Sequence, residues 1–288
     1  MEKYCAAIFD IISSRKYENR YDVQRVVKDS IEYLNTIFAK EIVKDVIFGA
    51  GDEFQGLFYT AEAAFLYARK LQLLIYPVKV RCGIGYGSIK YIEEKWSSTE
   101  IDGEAYYNAR EAIMSIPNKR NSIIFFKLDS EFDKYINMYS LANTEIKSNQ
   151  SQMVKLIELL VDITCPLMNK KCLYNFENAK FYEKLLKLKV GLIVEKINSR
   201  NVYNYEKRAI DINNHLLYEV CECSKVQNID VSGLFIDCYW ERGLSSLLAE
   251  IINTSRQNVD KHISLGKVKE SRNMDCTILM MLGDNLWK

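Results

Sequence analysis

Apolar and polar positions follow two alternating periods along the first 127 residues. Short apolar runs, typical of buried or half-buried strands, are separated by longer stretches in which apolar residues recur every three or four positions. The strand-like runs occupy residues 4–12, 43–48, 53–59, 78–84 and 122–126, and the helical stretches occupy residues 23–39, 61–75 and 103–113. The second and third runs flank a Gly-rich turn and therefore predict a β-hairpin.

This order of elements, β-α-β-β-α-β-α-β, predicts an α+β domain with a ferredoxin-like sheet and additional elements. Beyond about residue 130 the strand-like runs disappear and the pattern becomes helical. The polar, turn-prone segment at residues 145–152 predicts a linker. We therefore expect a first domain over residues 1–140 and an all-α second domain over residues 150–288.

The helical half contains a weak internal repeat. Residues 192–209 and 247–267 share the order aliphatic, Glu, Ile, Asn, Ser-Arg, Asn-Val, at an offset of about 56 residues. Two copies are too few for a solenoid and favour paired modules. We expect two helix-turn-helix-like units, at about residues 176–220 and 234–282.

The composition of the chain mainly excludes certain classes of function and site. The 288 residues carry a formal net charge of +1, so any binding to nucleic acid must come from a local patch rather than from a global field. No run of about 18 apolar residues is present, and we expect no membrane span and no membrane partner. The eight scattered cysteines and two histidines predict reduced, core-filling thiols in a cytoplasmic protein rather than a zinc site.

Two aspartates occupy positions that a packed core does not favour. Asp10 lies near the end of the first strand, and Asp52 lies in the hairpin turn. An ionised carboxylate beside strand residues is costly unless a cation or hydrogen bonds satisfy it. Carboxylate oxygens on neighbouring strands are the ligands that Mg²⁺ or Mn²⁺ uses in phosphate chemistry. The pair predicts a metal site, against the alternative of two solvated turn residues.

Four motifs in the same order resemble the palm of class III nucleotidyl cyclases and GGDEF diguanylate cyclases. They are FDI followed by Ser13, the turn AGDEF, the strand VRCGIGYG and the helix YYNAR. The resemblance implies metal binding by Asp10 and Asp52 and catalytic contacts by Asn108 and Arg110. It also implies nucleotide binding, and the residues that we expect to take part are Ile11, Ser13, Arg15, Gly51 and Glu53. For Arg15, a solvated basic pair with Lys16 is the simpler alternative.

Two departures from the cyclase pattern bear on the chemistry. Phe48 stands where adenylyl cyclases carry a lysine four residues before the hairpin Asp, so their way of selecting adenine is absent. Asn108 precedes Arg110 by two residues, where the cyclase helix has four. The two expected metal ligands, Asp10 and Asp52, are retained. Which nucleotide base is bound, and whether a reaction is catalysed, stay open.

A second resemblance covers nearly the whole chain. The segments FDIISSRK, GDEFQGLF, YPVKVRCGIGYGSI and AYYNAREAI are similar to those of the SatD family of bacterial proteins. The resemblance implies a cyclase-like first domain followed by helix-turn-helix-like sequence. It informs the fold more than the function.

The segment at residues 247–267 resembles the helix-turn-helix of bacterial transcription factors. Ala249 is the small residue inside the first helix, and residues 253–255 supply a turn and an N-cap. The side chains that we expect to reach DNA are Arg256, Gln257, Asn258 and Lys261. The alternative is a packing unit through which two copies of the chain associate.

Three functions follow from these patterns. The first is a cytoplasmic bacterial regulator that binds a purine nucleotide with Mg²⁺ through its palm and DNA through its C-terminal helices. The second is an active nucleotidyl cyclase or oligonucleotide synthetase, working as the homodimer that the cyclase resemblance implies. The third is a degenerate, non-catalytic dimerisation scaffold.

Overall fold

A computed structural model describes residues 2–49, 51–117, 121–167, 177–194, 199–223 and 242–283. Its strands are β1 (Lys3–Ile11), β2 (Ile42–Phe48), β3 (Glu53–Phe58), β4 (Val80–Ser88) and β5 (Ile124–Lys127). The helices that follow or separate them are α1 (Arg20–Ile37), α2 (Ala61–Ile75), α3 (Glu104–Met114), α4 (Asp133–Ser148), α5 (Gln152–Thr164) and α6 (Glu177–Val194). The remaining helices are α7 (Ser199–Ile210), α8 (Asn214–Cys223), α9 (Leu244–Ile251), α10 (Arg256–Leu265) and α11 (Val268–Gly283).

The five strands form one sheet in the order β2-β3-β1-β4-β5. Neighbours are antiparallel except for β4 and β5, which run parallel. The central strand β1 is apolar on both faces, because both of its faces are covered by helices. Cys5, Ala7 and Phe9 point to the core under α1 and α2, and Ala6 and Ile8 point to a second core under α3. The mixed α/β architecture with a helical C-terminal region confirms the sequence pattern at that level.

Helix α3 lies unusually close to β4. A Cβ atom at Gly85 would overlap the backbone nitrogen of Ala109, and one at Gly83 would overlap the backbone oxygen of the same residue. The alternating glycines of this strand therefore admit a helix backbone, rather than a ligand or a bulge.

The expectation of a linker at residues 145–152 was wrong. Helix α4 continues to Ser148, and three residues later Ser151 caps α5 by accepting a hydrogen bond from the backbone N–H of Val154 at 3.4 Å. The interior face of α4 is itself polar, with Ser140, Asn143 and Thr144 buried, so the apolar period that marks a helix is interrupted there.

A buried charge network joins the sheet region to the helical region. Arg69 on α2 contacts Asp162 on α5 at 2.5 Å and Asp275 on α11 at 2.6 Å, and Lys70 contacts Asp162 at 2.6 Å. Lys147 on α4 contacts Asp275 at 2.9 Å. One apolar core runs from the sheet into these helices. Among the described residues, the sheet and helices α2, α4 and α5 therefore pack together with α11.

The expected helix-turn-helix units lie partly outside the described residues, because residues 176, 195–198 and 234–241 are not among those that the structure describes. The described cysteines with free thiols are all buried, as core-filling residues would be: Cys5, Cys82, Cys165, Cys221 and Cys276. In the part of the chain that is described, no helix has the length and apolar character needed to cross a membrane.

Candidate functional site

Three carboxylates lie near the point where β1 ends beside the β2–β3 hairpin, but no group of three or more His, Cys, Asp or Glu side chains among the described residues is arranged to hold a metal ion. Asp10 is the register partner of Glu53 on β3, and the backbone N–H of Ile11 donates to the carbonyl of Asp52 at 3.2 Å. Gly51 takes a φ of 80°, a conformation that side chains rarely adopt, and so allows the turn that brings Asp52 to this edge. We call the cluster of Asp10, Asp52 and Glu53 the sheet-edge carboxylates.

Asp10 is held by an arginine of the next strand. Arg81 is its register partner on β4, and the guanidinium donates to one carboxylate oxygen from Nε at 2.7 Å and from Nη2 at 2.6 Å. The side chains of Asp10 and Arg81 are 23% and 22% exposed, so water and solutes reach the pair. Arg81 was visible in the VRCGIGYG motif, but its pairing with Asp10 depends on strand register.

Asp52 is contacted by a hydroxyl instead of a cation. The Ser14 side chain donates to Oδ2 of Asp52, and Ser14 belongs to the 3₁₀ turn Ser14–Lys16 that follows β1. Ser13 precedes this turn in the left-handed region, with a φ of 55°, and its side chain is exposed. Arg15 is also exposed on this turn. Ser14 was not among the residues expected from the sequence.

Glu53 pairs with the arginine that the cyclase resemblance marks. Nη2 of Arg110, on α3, lies 2.5 Å from Oε1 of Glu53, and Nη1 contacts the other oxygen, which makes a bidentate pair. The hydrogen bond to Glu53 raises the pKa of Arg110 above its usual value. Arg110 is therefore a fixed cation at the same edge, with its side chain 44% exposed.

Asn108 faces away from the carboxylates. Its amide donates to the Tyr86 carbonyl at 2.7 Å and to Asp129 at 3.2 Å, and the residue is buried between β4 and α3. Residues two apart on a helix differ by about 200° in direction, so Asn108 and Arg110 cannot share a face. In this chain the asparagine ties the helix to the sheet.

The C-terminal helix pair has the geometry of a helix, a turn and a second helix. Ala249 is buried in α9, and Ser255 caps α10 by accepting from the backbone N–H of Asn258 at 3.2 Å. Val259 and Ile263 hold α10 to the core. Asn253 adopts a left-handed backbone conformation in the turn, with a φ of 48°.

The four side chains expected to reach DNA divide between two faces of α10. Arg256, Gln257 and Lys261 are exposed, and Arg256 pairs with Asp260 at 3.4 Å. Asn258 is half-buried and donates to Thr254 Oγ1 at 3.1 Å. In the earlier copy of the repeat, the turn at residues 195–198 and the side chains of residues 199–202 lie outside the described residues.

The family model of the SatD family matches residues 4–205, well over half of the chain, and includes every sheet-edge residue described above. No curated protein matches the sequence.

Proposed function

The chain belongs to the SatD family, and we propose that it is a cytoplasmic regulator with two binding regions. The sheet-edge carboxylates bind a nucleotide together with Mg²⁺ or Mn²⁺, with Asp10 and Asp52 as the metal ligands. The exposed face of α10 binds DNA.

The observation that carries the nucleotide proposal is the presence of two arginine–carboxylate pairs at one solvent-reached edge, beside the turn that holds Asp52. Asp10 and Asp52 lie on adjacent backbone segments joined by the hydrogen bond from Ile11. Each has one carboxylate oxygen that receives no hydrogen bond from the described residues. Carboxylate oxygens available on neighbouring strands suit a hard divalent cation.

The strand order supports a palm-like sheet. Read from β4, the first four strands run 4-1-3-2 with antiparallel neighbours, the arrangement expected of a ferredoxin-like sandwich. That order places the end of β1 beside the β2–β3 turn, where the metal ligands are proposed.

The two arginines would change partners when a metal–nucleotide complex binds. Arg81 neutralises Asp10, and Arg110 neutralises Glu53. A divalent cation on Asp10 would replace the charge of Arg81 and leave that guanidinium free for phosphate oxygens, which match its planar fork.

A second candidate, nucleotidyl transfer by the same edge, is favoured by the position of Arg110. Its fixed guanidinium lies beside the proposed metal ligands, where it would offset charge on a phosphate in the transition state. In that reaction Asp10 and Asp52 would hold metal ions that activate a hydroxyl and stabilise departing pyrophosphate. Pyrophosphate release that requires Asp10 supports transfer, and binding without release supports the regulator.

Thermal unfolding tests the nucleotide proposal. We expect ATP or GTP with Mg²⁺ to raise the melting temperature, and Asp52→Asn to abolish the increase, because ligand binding to the folded state alone stabilises it. Asp45→Asn, the same substitution at an exposed position of β2 outside the carboxylate cluster, is the matched control. No increase with ATP, GTP, CTP or UTP would contradict the proposal.

The DNA proposal rests on Arg256, Gln257 and Lys261, which α10 presents together to solvent. We expect selection from random duplexes to enrich a sequence. Lys261→Ala should weaken binding and reduce the slope of log affinity against log salt by about 1, the contribution of one phosphate contact. A chain that enriches no sequence, and whose association state changes with Lys261→Ala, would instead support a packing role for these helices.

A further inference from the structure

A cleft of about 530 Å³ lies behind α10, far along the chain from the sheet edge. It is bounded by the start of α5, the last turns of α7 and the inner face of α10, together with Tyr76, which follows α2. Its lining includes Gln152, Arg208, Asn258 and His262. A cleft of this volume has the size of a site for a small organic ligand.

A second cleft of about 250 Å³ adjoins the first, and the two share Tyr76 and Gln150. Three lysines line it, namely Lys79, Lys147 and Lys155. Because they share these two residues, we treat the two clefts as one site, which we call the double cleft. One part of the double cleft is rich in amide and aromatic groups, and the other part is rich in cations.

Gln152 is the unusual residue of the double cleft. Its amide nitrogen and oxygen are both buried, and neither has a hydrogen-bond partner. A buried amide without partners destabilises a folded protein, and such groups in natural proteins call for an explanation. Because Gln152 lines the cleft, a rotation of its side chain would turn the amide into the cleft, where a ligand that both accepts and donates would satisfy both atoms at once. The edge of a nucleobase is such a group, and glutamine reads adenine in this way elsewhere.

The charges of the double cleft favour an anion. Among the described lining residues there is no aspartate or glutamate, while cations line both parts. Lys147 and Lys155 form ion pairs with Asp275 and Glu158, which lie behind the lining. Burial nevertheless lowers the pKa of Lys155, so a nearby anion would stabilise its charged form.

We propose that the double cleft binds a nucleoside 5′-phosphate without a metal ion. The base lies against Tyr76 with its edge on Gln152, and the phosphate lies among the lysines. Aromatic faces and Gln side chains suit a base, and ammonium groups suit a phosphate. This site is separate from the sheet-edge carboxylates and does not depend on them.

The bound nucleotide would contact α10 from inside. Asn258 and His262 lie one turn apart and line the cleft, whereas Arg256, Gln257 and Lys261 face solvent. An occupant of the double cleft therefore touches the helix that is proposed to bind DNA, on a face next to that surface, since Asn258 and Lys261 are three residues apart.

The test uses thermal unfolding of the full chain in EDTA, with AMP, GMP, CMP and UMP at millimolar concentration. We expect at least one of them to raise the melting temperature by several degrees. The corresponding nucleoside and inorganic phosphate should each give a smaller increase, since each fills only one part of the double cleft. Lys79→Gln should reduce the increase.

Gln152→Met is the decisive variant because it removes the unpaired amide while keeping side-chain length. We expect the unliganded variant to melt no lower than the wild type, and its response to nucleotide to be lost. Gln24→Met, the same substitution at an exposed position of α1, should keep the response.

Three outcomes would overturn the proposal: no increase with any of the four monophosphates in EDTA, an undiminished increase in Gln152→Met, or the full increase with inorganic phosphate alone. An increase that requires Mg²⁺ and disappears in Asp52→Asn belongs to the sheet edge. The failure of either site is therefore distinguishable from the failure of the other.

Discussion

Two clusters of carboxylates and cations in this chain differ in how completely their carboxylate oxygens are hydrogen-bonded. In the buried network, both oxygens of Asp162 and both oxygens of Asp275 accept hydrogen bonds. At the sheet edge, Asp10 and Asp52 each use one oxygen, on Arg81 and Ser14 respectively. The Asp162 carboxylate is 1% exposed and needs hydrogen bonds from protein groups on both oxygens. The Asp10 carboxylate is 23% exposed, so it retains water and can exchange that water for a ligand.

The pKa values of the two buried aspartates, Asp162 and Asp275, also indicate that the buried network is structural. Burial alone would raise the pKa of Asp162, but the charges of Lys70, Arg69 and Arg272 outweigh burial and lower it. Lys147 and Arg69 do the same for Asp275. The difference teaches that a cluster of opposite charges is structural when it is buried and all its carboxylate oxygens are hydrogen-bonded. A cluster that solvent reaches, with carboxylate oxygens left without hydrogen bonds, is a candidate for binding.

The largest effect should come from removing one charge of the buried network. Asp162→Asn leaves Arg69 and Lys70 without their shared partner, and breaking a buried ion pair costs about 3–5 kcal/mol of unfolding free energy. Urea denaturation measures the loss. Asp52→Asn is the matched change at the sheet edge and should alter stability by no more than about 0.5 kcal/mol. Equal losses in the two variants would remove the distinction between the clusters.

Lys189 sharpens the comparison because it is a buried cation without a matching carboxylate among the described residues. Its Nζ donates to the Leu73 carbonyl at 2.9 Å and lies 5.9 Å from the centre of the Tyr76 ring. Burial, with a smaller contribution from Lys155, lowers the pKa of Lys189 to about 7. The folded pKa therefore lies below that of the unfolded chain, about 10.4.

Between those two values the unfolded chain holds the proton and the folded chain does not. Stability should therefore rise as the pH increases from about 7 toward 10, by at most about 1.4 kcal/mol per pH unit. Denaturation at pH 7, 8 and 9 measures the slope. Lys189→Met should flatten it, while Lys187→Met, at an exposed position of the same helix, should not. A slope that is unchanged in Lys189→Met would contradict this assignment.

The smallest effect concerns the exchange of partners at Asp10. If Arg81 competes with a metal ion, Arg81→Gln should raise the affinity for Mn²⁺ alone by a few-fold, because the carboxylate loses a competing cation. Electron paramagnetic resonance of free Mn²⁺ measures this affinity. Arg15→Gln removes a nearby charge without touching Asp10 and should have a smaller effect. A weaker affinity in Arg81→Gln would mean that the arginine supports the site rather than competing for it.

Local signals in the sequence predicted local structure well. Helix α2 begins and ends where the pattern indicated, since Thr60 caps its first turn and its apolar stripe is continuous. The turn before α10 was expected from Ser255, and Ser255 is the N-cap. Strand β4 extends to Ser88, beyond the predicted end at residue 84, because glycines at alternate positions erase the apolar signal.

Long-range pairings could not be obtained in the same way. The contacts of Arg81 with Asp10 and of Arg110 with Glu53 depend on strand register and on the close approach of α3. The buried network joins Arg69 to Asp275, 206 positions apart, and no local pattern marks such a pair. The metal roles of Asp10 and Asp52 stay predictions, and so do the nucleotide roles of Ile11, Ser13, Arg15, Gly51 and Glu53.

The most direct test of the central claim is a crystal structure of the chain with Mn²⁺ and a nucleoside triphosphate analogue that cannot be cleaved. We predict an anomalous peak within coordination distance of both Asp10 and Asp52, with the triphosphate beside it and Arg81 turned from Asp10 toward a phosphate oxygen. A well-occupied nucleotide elsewhere, with no peak at the sheet edge and Arg81 still on Asp10, would contradict it.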